Sequence, residues 1–162
     1  MKRLLIICIV CCGFLKALAQ SNEVLYTARL ANDYLMAKYS DPTQPTNVKR
    51  VRPSSLWTRA VYYEGLMALY NIDQQQRYID YALRWADFHQ WTPRNGVATT
   101  NADDQCCSQT YIELNQLTGE GTIEYVRENL QKQMASQRTD YWTWIDAIQM
   151  AMPVYVDRKS VV

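Results

Sequence analysis

The stretch Tyr141-Trp142-Thr143-Trp144-Ile145-Asp146-Ala147-Ile148-Gln149-Met150-Ala151-Met152-Pro153 sets one carboxylate, Asp146, among side chains that are almost all apolar or aromatic. Its pattern reads as a helix that begins near Tyr141 and runs toward Pro153. The proline ring clashes with the carbonyl four residues back, at Gln149, and is expected to end or kink that helix. On such a helix Trp142 and Met150, four residues before and after, share a face with Asp146. An ionised carboxylate on an apolar face is costly unless it is paired or opens on a polar cavity. The segment contains no Lys or Arg before Arg158, so a functional cavity is a better reading than a structural ion pair. An aspartate among indoles is further expected to have a raised pKa.

Upstream, the chain reads as helical almost throughout, with Gly and Pro gathered between periodic segments. A first helix is expected from about Asn22 to Tyr39, ended by Asp41-Pro42. A polar loop over 41–55 holds Pro42, Pro45 and Pro53 with the basic cluster Lys49, Arg50 and Arg52. That cluster reads as a solvated loop, with contact to an acidic sugar as the alternative. Helices follow over about 56–70, 75–91, 104–117 and 122–134, the last two joined by Thr118-Gly119-Glu120-Gly121. Trp57, Asp104 and Asp146 stand near the starts of alternate helices, 47 and 42 residues apart, and each interval holds one helix pair. Repeated hairpins of this length describe either a solenoid or a closed toroid, and periodicity does not choose between them.

The two ends of the chain distort its composition. Of 162 residues, 17 are Lys or Arg and 16 are Asp or Glu. Lys2 and Arg3, the apolar run Leu4 to Leu15 and the small-x-small pattern Ala17-Leu18-Ala19 read as a signal peptide over residues 1–19. A run this short does not span a bilayer, which takes roughly 20 apolar residues, and no later segment does either. An exported protein, periplasmic or secreted, is expected, and a lipid anchor on Cys11 or Cys12 is disfavoured because no good lipidation box precedes them. Removing Lys2, Arg3 and Lys16 leaves 14 bases against 16 acids, which argues against nucleic acid as a partner. The only cysteines left are the adjacent Cys106 and Cys107, and His89 is the sole histidine. A disulfide framework and a His-rich metal centre are therefore not expected. The final residues, Asp157-Arg158-Lys159-Ser160-Val161-Val162, read as the translation of a sequencing adapter, which puts the expected natural end near Val156.

A second stretch, Asn101-Ala102-Asp103-Asp104-Gln105, places two acids where a loop enters a helix. The plainer reading is an N-cap, worth about 1 kcal/mol. The functional reading sets a carboxylate such as Asp104, kept ionised by the helix N-terminus, opposite a protonated Asp146. Trp57, Trp91, Trp142 and Trp144 are candidate stacking faces for a sugar ring, although each is more often core.

The stretch Trp144 to Pro153 closely resembles the signature of glycoside hydrolase families 88 and 105, the unsaturated glucuronyl and rhamnogalacturonyl hydrolases. Asn101-Ala102-Asp103-Asp104-Gln105 with Gln109-Thr110-Tyr111 resembles their second segment, and Arg59 to Tyr70 the helix before it. The resemblance implies an all-α fold, an (α/α)6 barrel, of which residues 20–156 supply three of six hairpins, the N-terminal half. It implies a substrate that carries a 4,5-unsaturated uronic acid left by a polysaccharide lyase, and hydration of that double bond. By position Asp146 matches the general acid/base and Asp104 the second essential carboxylate, with Asp103 the alternative for that role. Asp103 and Gln109, with the stacking candidates Trp57, Trp91, Trp142 and Trp144, are the candidate substrate contacts, and no metal or organic cofactor is implied. A half toroid leaves the inner faces of its end hairpins uncovered, so the chain alone is expected to be inactive and prone to aggregate. The rival reading is a non-catalytic helical module that binds a glycan.

Overall fold

The computed structural model describes residues 22–156; the expected signal segment and the expected adapter-derived tail lie outside the described residues. Two compact units divide at Ser40 and Asp41. In the first, helix α1 covers residues 22–38 and leaves Val24, Tyr26, Leu30 and Tyr34 exposed. Within it Lys38 Nζ lies 5.5 Å from the Tyr34 ring centre, a cation over an aromatic face.

The second unit opens with a feature that periodicity did not foresee. Residues 41–55 were expected to be irregular, but Thr46–Val48 (β1) and Arg50–Arg52 (β2) form an antiparallel hairpin, with Val48 opposite Arg50 and Lys49 at the tip. Three-residue strands are too short for an alternation to be counted, and Pro45 and Pro53 keep them from lengthening.

Helix α2 (Trp57–Ile72) buries Ala60, Tyr63, Leu66 and Met67, the three- and four-residue spacing of one helical face. Helix α3 (Gln76–Phe88) does the same with Tyr78, Ile79, Ala82, Trp85 and Ala86. Asp73 closes the turn between them, accepting from Tyr78 Oη at 2.9 Å and Gln75 Nε2 at 2.6 Å. The run expected over 104–117 is two pieces, α4 (Ala102–Gln105) and α5 (Cys107–Thr118), divided at Cys106. Gly119, at φ 72°, ends α5 in the left-handed region that glycine enters without strain. Helix α6 (Glu124–Ala135) and helix α7 (Ala147–Val156) complete the unit.

The core is aromatic. Tyr63 of α2 stacks on Trp85 of α3 at 3.9 Å between ring centres, and Trp85 meets Tyr111 of α5 at 5.1 Å. Trp85 Nε1 donates to the Ser54 carbonyl at 3.0 Å, so this large buried ring leaves no polar atom unsatisfied. Cys106 and Cys107 are free thiols fully buried in the same region.

Trp91 belongs to this core as well, not to a sugar platform. It is 4% exposed, its Nε1 donates to Asp87 Oδ1 at 2.8 Å, and its ring lies against Tyr111. Gly121, at φ +70°, makes room for it, because a Cβ there would fall 2.0 Å from the Trp91 ring. Gly121→Ala is expected to lower unfolding stability by about 2–3 kcal/mol, adding left-handed backbone strain to an overpacking clash. Urea denaturation followed by tryptophan fluorescence measures it, and an unchanged midpoint contradicts the packing described.

Helix α7 departs from expectation at its start. It begins at Ala147, not near Tyr141, so Trp142 and Trp144 sit on non-helical backbone and the shared face of Trp142, Asp146 and Met150 does not form. The aromatic and β-branched residues of 141–145 imitate a helical stripe, but they have low helix propensity. Pro153 does not end the helix, which continues to Val156.

Candidate functional site

Helices α2, α4 and α7 begin around one open cleft of about 490 Å³, whose walls include Trp57, Asp103, Tyr141, Trp142, Trp144 and Asp146. Five of the eight residues singled out from sequence therefore come together, although they lie as far apart as positions 57 and 146. Trp57 and Trp144 present exposed ring surface, 36% and 79%. Trp142 is half-buried and meets Tyr155 edge-on at 5.4 Å.

Two carboxylates face this cleft, and they are Asp146 and Asp103. Asp146 is exposed immediately before α7, and its carbonyl accepts from the backbone N–H groups of Gln149 and Met150, each at 3.0 Å. The burial among indoles expected for it is absent, because the tryptophans precede the helix and do not surround Asp146. Asp103 stands in the single turn of α4, where the Asn101 side chain accepts from its backbone N–H at 2.9 Å and leaves its carboxylate free of that capping duty. Partial burial raises the Asp103 pKa, the Asp146 and Asp104 charges push it further up, and Arg94 opposes them. The carboxyl held toward its protonated form is thus Asp103. In Asp146→Asn one of the charges that raise Asp103 is gone, so its carboxyl is expected to titrate at lower pH than in the wild type. The pH dependence of its carboxyl carbon chemical shift reads this directly, and an unmoved midpoint contradicts the proximity of the two acids.

Asp104 lies elsewhere, and the reason is physical. At 3% exposure, its Oδ1 accepts from Arg94 Nη1 and its Oδ2 from Asn95 Nδ2 at 2.9 Å and Thr99 Oγ1 at 2.8 Å. Both oxygens bond to the loop that leads into α4, and the carboxylate is buried outside the cleft lining. The same loop is anchored from α6, where Asn129 Nδ2 donates to the carbonyls of Val97 and Thr99 at 2.9 and 2.8 Å. Neither Arg94 nor Asn129 was foreseen; the adjacency of Arg94-Asn95-Gly96, a charged turn ten residues before Asp104, is the signal that could have found the first of them.

Gln109 is likewise outside the cleft lining. Its Nε2 donates to the carbonyls of Gln149 and Met150 on α7. Glu64, on α2, is a second residue that sequence reasoning missed. It accepts from Cys106 Sγ at 3.1 Å and from Gln149 Nε2 at 2.6 Å, and burial raises its pKa against the pull of those two hydrogen bonds.

The single histidine is structural. His89 Nε2 lies 2.7 Å from Ser54 Oγ, and burial lowers its pKa to about 4, so it is neutral at pH 7 and away from the cleft. Among the described residues no group of three or more His, Cys, Asp and Glu side chains could hold a metal ion, and no helix is long and apolar enough to cross a membrane.

The sequence model of glycosyl hydrolase family 88 matches residues 27–162. No curated protein sequence matches the chain. Among solved structures, a glycosyl hydrolase family 88 protein from Bacteroides vulgatus is similar, with 28% identity and a TM-score of 0.75 over 88% of this chain and 42% of its own. A protein described as a polysaccharide lyase matches with the same TM-score and coverage at 25% identity. The chain thus spans about two-fifths of the length of these relatives, and its helical hairpins are part of an (α/α)6 barrel. With the family's sequence pattern covering most of the chain and its fold reproduced in the helices around the cleft, the chain belongs to glycosyl hydrolase family 88.

Proposed function

We propose that the cleft hydrates the 4,5-double bond of an unsaturated uronic acid at the non-reducing end of a lyase-generated oligosaccharide. The observation that supports it is the meeting of Asp146 and Asp103 between Trp57 and Trp144 in one open cleft. In this reading Asp146 delivers a proton to one alkene carbon and takes a proton from the water that adds to the other. The resulting hemiketal opens and releases the neighbouring sugar. Ordinary glycoside hydrolysis differs in that both carboxylates act at the anomeric carbon.

Asp103, not Asp104, takes the second carboxylate role. Its raised pKa favours the protonated form, which can donate a hydrogen bond to a sugar hydroxyl or to the reacting water. Trp57 and Trp144 supply faces for the sugar ring, and Trp142 a side wall. Export from the cytoplasm, expected from residues 1–19, suits a substrate produced by extracellular or periplasmic lyases.

The description of one similar protein as a polysaccharide lyase favours a second reading, elimination that creates the double bond. The two are separated by the sign of one signal. With an unsaturated disaccharide and the intact protein, a hydrolase removes the absorbance of the conjugated uronate, whereas a lyase acting on a saturated polyuronate makes it grow. Loss of absorbance is the expected result, and failure with every unsaturated disaccharide tried would overturn the proposal.

A further inference from the structure

The first turn of α7 carries Asp146 into the cleft, and side chains of two other helices grip that turn from behind. Pro153 lies inside α7 and has no N–H, so the Gln149 carbonyl, four residues back, lacks its usual intrahelical donor. Gln109 of α5 fills the gap: its Nε2 lies 2.9 Å from the Gln149 carbonyl and 2.8 Å from that of Met150. The Gln149 side chain is fixed in turn, donating from Nε2 to Glu64 Oε2 of α2 at 2.6 Å. Cys106 Sγ, donating at 3.1 Å, holds the other Glu64 oxygen. From the other direction, the backbone N–H groups of Gln149 and Met150 donate to the Asp146 carbonyl, each at 3.0 Å. The backbone that aims Asp146 is therefore tied to α2 through one side chain and to α5 through another.

We propose that Glu64 and Gln109 are positioning residues that fix the first turn of α7 against α2 and α5 and so set the direction of the Asp146 carboxylate in the cleft. The inference rests on the acid/base role given to Asp146 above. It explains why a glutamine that resembles a sugar ligand by position turns away from the cleft lining. It also explains how the carbonyl left without a donor by a proline inside the helix is satisfied. Pro153 removes a donor and Gln109 returns one.

The test is steady-state kinetics on an unsaturated disaccharide with the intact protein, joined to hydrogen exchange of the amides in residues 147–153. The variants are Gln109→Met, which keeps volume but has no donor, Glu64→Ala, the conservative Glu64→Gln, and Gln109→Met combined with Pro153→Ala. Misaligning a reactive group by a fraction of an ångström costs rate more than binding, so Gln109→Met and Glu64→Ala are expected to lower kcat about 10- to 100-fold with KM within about threefold. Glu64→Gln still offers an oxygen to Gln149 and is expected to retain most of kcat. Pro153→Ala restores an N–H for the Gln149 carbonyl, so it is expected to recover most of the kcat lost in Gln109→Met and to slow the exchange that Gln109→Met accelerates. Unchanged kcat in folded Gln109→Met and Glu64→Ala would overturn the proposal. So would a rise in KM alone, which would make Gln109 a substrate contact, or the absence of rescue by Pro153→Ala. Should the wild type not turn over, or Asp146→Asn keep its full rate, the reaction assigned to the cleft is what fails; the exchange of α7 then decides the clamp independently.

Discussion

Asp146→Asn in the intact protein is expected to lower kcat on an unsaturated uronyl disaccharide by about a hundred- to ten-thousandfold, with KM changed only a few-fold. The amide keeps the size of the carboxyl and loses the proton transfer, so the loss falls on the chemical step. Because Asp146 is exposed ahead of α7 and holds that helix through its backbone carbonyl, the variant is expected to fold as the wild type does. Asp103→Asn should also slow turnover, but differently. It removes the partly buried carboxyl whose proton affinity is raised by its surroundings, and its effect is expected to vary with pH where the wild type's does. Kinetics with near-wild-type rates for Asp146→Asn would make the cleft a binding surface and not a reaction centre.

The second large effect concerns Asp104 and appears in stability first. Asp104→Ala strips Arg94 of its carboxylate and leaves Asn95 and Thr99 without an acceptor at a site where the aspartate is 3% exposed. Breaking a buried, hydrogen-bonded ion pair from one side typically costs about 3 kcal/mol when the surviving charge retains some access to solvent, as Arg94 does at 28%. Thermal unfolding should therefore show a clear drop in Tm for Asp104→Ala and little change for Asp103→Ala. Any loss of activity in Asp104→Ala is expected to follow from the loosened 94–99 loop. Equal Tm values for the two variants would contradict this assignment of neighbouring acids to different work.

The contrast between those neighbours marks the boundary of what the sequence made legible. Helices α2, α3 and α6 could be read from apolar spacing, since Tyr63, Leu66 and Met67, or Tyr78, Ala82 and Trp85, follow a 3.6-residue period that only a buried face requires. The placing of Trp57 and Asp146 at the starts of alternate helices was legible as well, and both line the cleft. Which of two adjacent aspartates faces the cleft was not legible. Both occupy the same turn, and the choice is made by Arg94, Asn95 and Thr99 closing on one of them from a loop. Gln109 misled for a related reason: its partner is a carbonyl exposed by a proline forty-four positions away in sequence, a relation visible only once α5 and α7 are packed. Trp91 cannot be told from a platform residue by sequence, because the Gly121 that packs against its ring lies thirty positions away.

The claim on which the rest depends is that Asp146 and Asp103 add water across a carbon-carbon double bond. Proton NMR of an unsaturated disaccharide during incubation with the intact protein follows the vinylic proton on C4 and the release of the neighbouring sugar in the same sample. The account predicts that the vinylic signal disappears in step with that release, and that both stop in Asp146→Asn. Release of a sugar while the double bond stays intact would contradict it.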